Sequence, residues 1–455
     1  MLFRRDWGGR ALLCTATAVT ALATIAGPIA VGGGPAGAAA TSGIKSPASS
    51  LQCAPGTGTG APGVTAKQIS VAGISTLTGA ISSGFSALVP GAQAYFDTVD
   101  AHGGVDGRKI VLADNLNDQG TGSRFETLTH TAIDQDHAFA VIASSYWFSP
   151  TYFVATCTPT YGYNVTGDWT KAPNLFAAGG STQTYKTIVP AIAYLVHKEK
   201  SKSVAILAYG VSSSADACQT VDTVLTKDGD NVSYTDLKLT PLNPALTPDV
   251  QRMQSAGTDF IMSCMTVDGN VSLSREVKEY GLKVQQLWLT IPNQSVIDKD
   301  SSLMQGVYFS EGNVPLDANT KFPGTYPGLK AYISAMKKYE PAEEGDNVAL
   351  QGWEAGALLV AGIKAAGKDL TQANLVKATN ELTAFTAGGL YTPMNWTRTH
   401  TLVTPPFCSA FVQAKGTVLV PVLGTGKQVF DCFTEDPKHP TPVATRPGTP
   451  GPAVG

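Results

Sequence analysis

Short β-branched runs alternate with helix-length amphipathic segments along most of this 455-residue chain, and they do so in two separate series. In the first, Gln68–Ile74 carries Ile69, Val71 and Ile74. Pro90–Ala101 follows with Ala92, Tyr95, Phe96 and Val99 at helical spacing. Pro90 suits a first helical turn, where its missing donor costs nothing, and Gly103-Gly104 marks the helix end. Lys109–Ala113 then reads as a strand, Arg124–Asp134 as a helix and Ala138–Ala143 as a strand. This β-α-β-α-β order predicts a parallel sheet covered by helices. The series restarts with helix Gln183–Lys198 and strand Val204–Ala208, then helix Ala215–Lys227 and strand Val232–Leu239. Helix Pro248–Ala256, strand Phe260–Ser263, helix Leu273–Tyr280 and strand Gln286–Leu289 complete it. Two such arrays predict an α/β protein of two Rossmann-like lobes. Strand Gly306–Phe309, helices Leu329–Tyr339, Ala349–Ala366 and Gln372–Asn380, and a β-rich end, Leu390–Phe433, follow.

Only 15% of the residues are charged, against about 25% in an average soluble protein. Part of the deficit lies at the ends. Arg4, Arg5 and Arg10 precede an uncharged run from Ala11 to Gly43. Its apolar part, Ala11–Val31, gives way to Gly32–Ala40, ending in three alanines. Basic start, apolar middle and small-residue exit are the order of a secretory signal peptide, expected over residues 1–40. A membrane anchor is the alternative, and the Gly/Pro/Ala-rich exit without a charged stop favours cleavage. Cys14 follows Leu13 at the start of the apolar stretch, not a small residue at its end, so it does not fit a lipid-attachment site. Residues 41–62 read as a flexible linker and the proline-rich 434–455 as a disordered tail. The net charge of −3 gives no support for nucleic-acid binding.

Of seven cysteines, those beyond the leader are Cys53, Cys157, Cys218, Cys264, Cys408 and Cys432. An even set in an exported chain suggests disulfides, with connectivity left open by sequence alone. Cys408 and Cys432 flank strand-like segments and suit a hairpin closure. Cys218 and Cys264 lie in neighbouring βα units of one sheet, and Cys53 with Cys157 remain. Buried free thiols are the alternative. The absence of C-x-x-C spacing gives no zinc or redox motif, and no metal or other cofactor is expected.

The segment Ile69–Gly79 ends in Leu77-Thr78-Gly79 and is followed by Gly91–Asp97. The turn Ala101-His-Gly-Gly-Val-Asp-Gly-Arg-Lys-Ile110 and the strand end Asp114-Asn-Leu-Asn-Asp118 come next. In order and spacing this series resembles the extracytoplasmic solute-binding proteins of branched-chain amino-acid ABC importers. The resemblance implies the type I periplasmic binding fold, two lobes joined by three hinge crossings, with a ligand cleft at the carboxyl ends of the strands. The crossings are expected near Ala177–Gly180, Thr290–Asn293 and Thr386–Leu390. Lobe one then spans 63–178 and 292–388, and lobe two 179–291 and 389–433.

The resemblance also places candidate ligand-binding residues. In lobe one they are Ser144, Ser145, Tyr146 and Trp147 after strand Ala138–Ala143, with Tyr163 and Asn164 after the next segment. The family holds an amino-acid carboxylate at the first of these turns with a hydroxyl and backbone N–H groups. Here Trp147 stands near the family's serine, and packing of Tyr146–Phe148 is the competing reading. In lobe two the candidates are Tyr209 and Ser212, beside a serine run that equally suits helix capping, and Thr266 and Asp268. Asp268 stands near the family's ammonium-holding acid, with a surface turn as the alternative. A buried ammonium needs an anionic partner, so these departures point away from an unmodified branched-chain amino acid.

Neither G-x-S-x-G nor H-E-x-x-H occurs, and the histidines are scattered. The expectation is therefore a non-enzymatic, monomeric receptor. It takes a small polar or amphipathic solute (amino acid, amide or aromatic acid) and passes it to an ABC permease. The alternative is a secreted sensor or scavenger on the same fold. The expected location is outside the cytoplasm, secreted or in the cell envelope, without an evident lipid anchor.

Overall fold

The computed structural model describes residues 58–443, except 80, 165, 170–171, 178–188, 242–244, 317–325, 392, 398, 401–407, 423–429 and 434–441. All of them lie in the compact unit Ser46–Gly455. The expected signal peptide, most of the linker and most of the tail fall outside the described residues.

The first sheet contains β1 (Gln68–Ser75), β2 (Lys109–Asn117), β3 (Ala140–Ser144), β4 (Thr160–Gly162) and β5 (Leu175–Ala177), in the order β2-β1-β3-β4-β5. Every pairing is parallel. Strand alternation sends Ile69 and Val71 to one face, where Leu88, Val89 and Phe96 of α1 (Leu88–Ala101) cover them. Ala72 and Ile74 go to the other, against Phe125 of α2 (Gly122–His130) and Phe153 of α3 (Thr151–Thr156). A sheet buried on both faces needs the near-continuous apolar strands seen here.

The second sheet begins alike. β6 (Val204–Tyr209), β7 (Val232–Leu239), β8 (Phe260–Cys264), β9 (Gln285–Trp288) and β10 (Tyr308–Glu311) run parallel in the order β7-β6-β8-β9-β10. Antiparallel β11 (Cys408–Lys415) pairs with β10, β12 (Val418–Pro421) and β13 (Phe430–Phe433) pair with β11, and β14 (Pro442–Val443) pairs with β13. Helices α4 (Val189–Lys198) and α5 (Ser212–Asp228) cover one face, α6 (Thr247–Ser255) and α7 (Val267–Glu279) the other.

Helix α8 (Gln294–Met304) lies between β9 and β10, and α9 (Pro327–Tyr339), α10 (Asn347–Ala366) and α11 (Gln372–Asn380) lie between β10 and β11. Helix α10 joins the first sheet's core through Ala355, Leu358 and Leu359 and crosses α1 almost backbone to backbone. A Cβ at Gly91 would collide with the Ala349 carbonyl, and one at Gly352 with the Leu88 carbonyl.

Four expectations need correction. Tyr308 pairs with Leu287 and Phe309 with Trp288, so the chain stays in the second sheet through Glu311 instead of leaving it at 292. Trp396 is buried in the first sheet's core and meets Phe176 edge-on at 5.5 Å, so the chain is still there beyond 389. Short apolar segments do not reveal which of two similar sheets they join. The last linker residues are docked: the carbonyls of Gly58 and Gly60 accept from the N–H groups of Ala373 and Gln372 at 2.6 and 3.0 Å, satisfying donors in the first turn of α11. Within the proline-rich tail, Pro442 and Val443 pair with Phe433 and Cys432. Proline is tolerated in such a position at a sheet margin.

Cys218 and Cys264 form a disulfide, as their places in neighbouring βα units suggested. Cys157 is also disulfide-bonded, and Cys53 lies outside the described residues. Cys408 stands opposite Cys432 in the β11–β13 register.

Candidate ligand-binding cleft

In both sheets the strand order reverses beside the first strand, at β1/β3 and at β6/β8. Loops leaving the carboxyl ends of such a strand pair turn to opposite faces and leave a crevice, where open α/β sheets bind ligands. Every sequence-derived candidate lies at one of these two rims or beside it.

At the first rim the chain is stitched together by Asp118, which is fully buried just beyond β2. Its Oδ2 accepts from Thr76 Oγ1 at 3.0 Å, beyond β1, and from Ser145 Oγ, beyond β3. Its Oδ1 accepts from Gly120 N at 2.8 Å. Ser145 Oγ in turn accepts from Trp147 N at 2.9 Å, and Ser144 Oγ donates to the Phe85 carbonyl at 2.8 Å. Ser144 and Ser145, expected to offer hydroxyls to a ligand, are therefore buried and bonded to the protein. Tyr146 and Trp147 do pack, edge to face at 5.1 Å, yet Trp147 keeps 45% of its surface exposed. Tyr163 lies 6.3 Å from the Phe85 ring, and Asn164 is half-buried beside it in sequence.

At the second rim Tyr209 ends β6 and is nearly buried. Its hydroxyl bonds Thr266 Oγ1 at 3.0 Å, so Thr266, the N-cap residue of α7, does not cap its helix with that oxygen. A Cβ at Gly269 would collide with the Tyr209 hydroxyl, so glycine there lets the ring lie across the first turn of α7. Desolvation pushes the phenol pKa up. Ser214, within the serine run after β6, accepts from Tyr209 N at 2.8 Å and donates to the Cys264 carbonyl. The hydroxyl thus joins the ends of β6 and β8, which the Cys218–Cys264 bond reinforces. Ser212 opens α5, and its side chain lies outside the described set.

The two rims meet. Ser83, in the short turn Ser82–Gly84 after β1, donates to Asp268 Oδ2 in the first turn of α7 at 3.4 Å. The structure thus brings Tyr163, through Phe85, to the first rim, and Tyr209, Thr266 and Asp268 to the second. It withdraws Ser144 and Ser145 into the lobe. Sequence reasoning missed Ser83 and Phe85 as rim residues, although both follow the Leu77-Thr78-Gly79 loop directly. Asp118 was visible only as the end of the acidic strand motif.

A family model described as periplasmic binding protein matches residues 68–417. The chain belongs to the periplasmic binding protein family. This is a family of solute-binding proteins, not of enzymes. Solved structures share the fold at low identity. One is a branched chain amino acid ABC transporter from Thermus thermophilus with bound valine, at 16% identity and TM-score 0.66, covering 79% of this chain and 96% of that one. Another is the fatty acid ABC transporter substrate-binding protein from Thermomonospora curvata, at 17% identity and TM-score 0.64, covering 80% and 93%. A third is an R. palustris solute binding protein in complex with benzoate, at 16% identity and TM-score 0.62, covering 78% and 95%. No sequence among the curated proteins matches. Among the described residues, no helix of this family member is long and apolar enough to cross a membrane.

Proposed function

We propose that this periplasmic binding protein is an exported receptor, secreted or held in the cell envelope. It captures a small amphipathic solute between its two sheets and delivers it to an ABC permease. The observation that carries the reading is the meeting of two β/α switch points across the Ser83–Asp268 bond. The exposed Trp147 and the half-buried Tyr163, backed by Phe85, supply flat apolar surface at the first rim, with the buried Tyr209 ring behind the second. Opening of the two lobes breaks the 3.4 Å bond, and closure around a solute restores it. The related structures bind valine and benzoate, which supports a range from amino acids and amides to aromatic acids. The role is capture without chemical change, consistent with rim hydroxyls already bonded within the protein. A thermal-shift and calorimetry screen of the purified protein against these three classes tests the reading. A saturable rise in Tm with at least one solute is expected, and recovery of that solute unchanged. No stabilisation by any of them overturns the receptor assignment.

A further inference from the structure

The donors of the first rim bear on which solutes the cleft accepts, given the receptor reading above. A hydroxyl has one proton to donate. Thr76 and Ser145 both give theirs to Asp118 Oδ2, and Ser144 gives its proton to the Phe85 carbonyl. Four backbone donors around them are taken as well, and the neighbouring Ser75 hydroxyl, at the end of β1, is fully buried. Thr76 N donates to the Ser144 carbonyl at 3.0 Å, Leu77 N to Asn117 Oδ1 at 3.1 Å, Gly120 N to Asp118 Oδ1 and Trp147 N to Ser145 Oγ.

The charge at this rim is equally one-sided. Among the described residues Asp118 has no Lys, Arg or His in an ion pair with it. Arg124, near the same strand end, is exposed and turns Nε to the Asn117 carbonyl at 2.8 Å, where water and salt screen it. Across the cleft the second rim adds Asp268, whose Oδ2 already accepts from Ser83. A solute carboxylate arriving here gives up its water where the rim hydroxyls of Thr76, Ser144 and Ser145 are already spent, with the buried charge of Asp118 behind one rim and Asp268 on the other. A head that brings its own N–H groups needs no donor from the first rim and meets the Asp268 carboxylate across it, in the field of the buried Asp118.

We infer that the cleft selects solutes whose polar head donates, an amide or an ammonium on an apolar body, over the matching carboxylates. Matched triplets separate head from body: benzamide, benzylamine and benzoate, and hexanamide, hexylamine and hexanoate, titrated into the purified protein at neutral pH. In at least one triplet the amide or amine is expected to bind tenfold or more tighter than its acid. If neither triplet shows that preference, because the acid binds as tightly or because only a solute of the screen binds, the inference is overturned and the receptor reading stands. Failure of every solute, in both triplets and in the solute screen, overturns both. In Asp118→Asn the preference for donor over acid is expected to shrink about tenfold, and an unchanged ratio in the folded variant also overturns the inference. If that variant does not fold, the wild-type triplets decide alone.

Discussion

The two sheets share a strand order, second-first-third-fourth-fifth, and differ beyond the fifth strand. The first stops at five parallel strands, each neighbour joined by slanted parallel ladders. The second adds antiparallel strands from the far end of the chain. Their rims differ in the same sense. Asp118 gathers the first rim by hydrogen bonds alone. The second is held by Ser214 and by a covalent bond between α5 and the end of β8. One switch point can be opened by exchanging hydrogen bonds, and the other cannot. The second rim is therefore the stiffer jaw, against which the first adjusts.

Removing the covalent staple is the largest way to break that contrast. The Cys218–Cys264 bond closes a loop with a sequence separation of 46. On the chain-entropy account such a loop is worth about 4 kcal/mol. The double variant Cys218→Ala/Cys264→Ala is expected to lose about that much in urea unfolding, with amide exchange quickening most at Cys264–Gly269. Uniform quickening across both sheets would mean the bond supports the whole molecule and not one jaw.

The two halves also respond oppositely to pH. His400 sits against Phe176 and Trp396 with neither ring nitrogen hydrogen-bonded, and burial pulls its pKa down to about 4. The unfolded imidazole takes a proton near 6.5, so its unfolded state binds more protons between those values. Stability from this site is full above about 6.5 and falls by up to about 3 kcal/mol as pH drops toward 4. Asp431 of β13 in the second sheet is the reverse. Burial pushes it up to about 8 against the pull of Lys198, so it holds a proton that the unfolded chain releases near 4. Its contribution is present below about 4 and is lost as pH rises through 8. Denaturant midpoints across pH 4–9 check this: His400→Phe should gain more at pH 5 than at pH 8, and Asp431→Asn more at pH 8 than at pH 5. The same pH trend in both variants, or no trend in either, would sink it.

Much of this architecture is legible in the residues. Val232–Leu239 and Gln372–Asn380 form over the residues their patterning predicts, and most other elements start or stop a few residues away, where local pattern yields to capping and pairing. The short β4, β5 and α3 escape because three to six residues carry no period. Assignment of Tyr308–Glu311 and Trp396 to a sheet depends on partners far away in sequence. The glycine-rich turn that carries the resemblance proves to be architectural. Val105 and Arg108 bridge each other there, and Ile110 N donates to Asp100 Oδ1 at 3.0 Å. The rim was legible as a place and not as a wiring diagram. Ser144 and Ser145 look like ligand donors until Asp118 and the Phe85 carbonyl, far off in the chain, are seen to take their protons.

The smallest effect gives the sharpest comparison, because one serine does the same task on each rim. Ser145 joins two strand ends by donating to Asp118 and accepting from Trp147 N. Ser214 does so by donating to the Cys264 carbonyl and accepting from Tyr209 N. The first bond is to a buried charged group, where a hydrogen bond is worth roughly twice a neutral one. Ser145→Ala is therefore expected to cost about 2 kcal/mol and Ser214→Ala about 1 kcal/mol, measured by urea unfolding with the disulfide intact. Equal costs would mean that charge adds nothing at the first rim. If Ser214→Ala costs about 1 kcal/mol with the disulfide and clearly more without it, the hydroxyl and the covalent bond hold the same strand end, and the stiffness of the second jaw is shared between them.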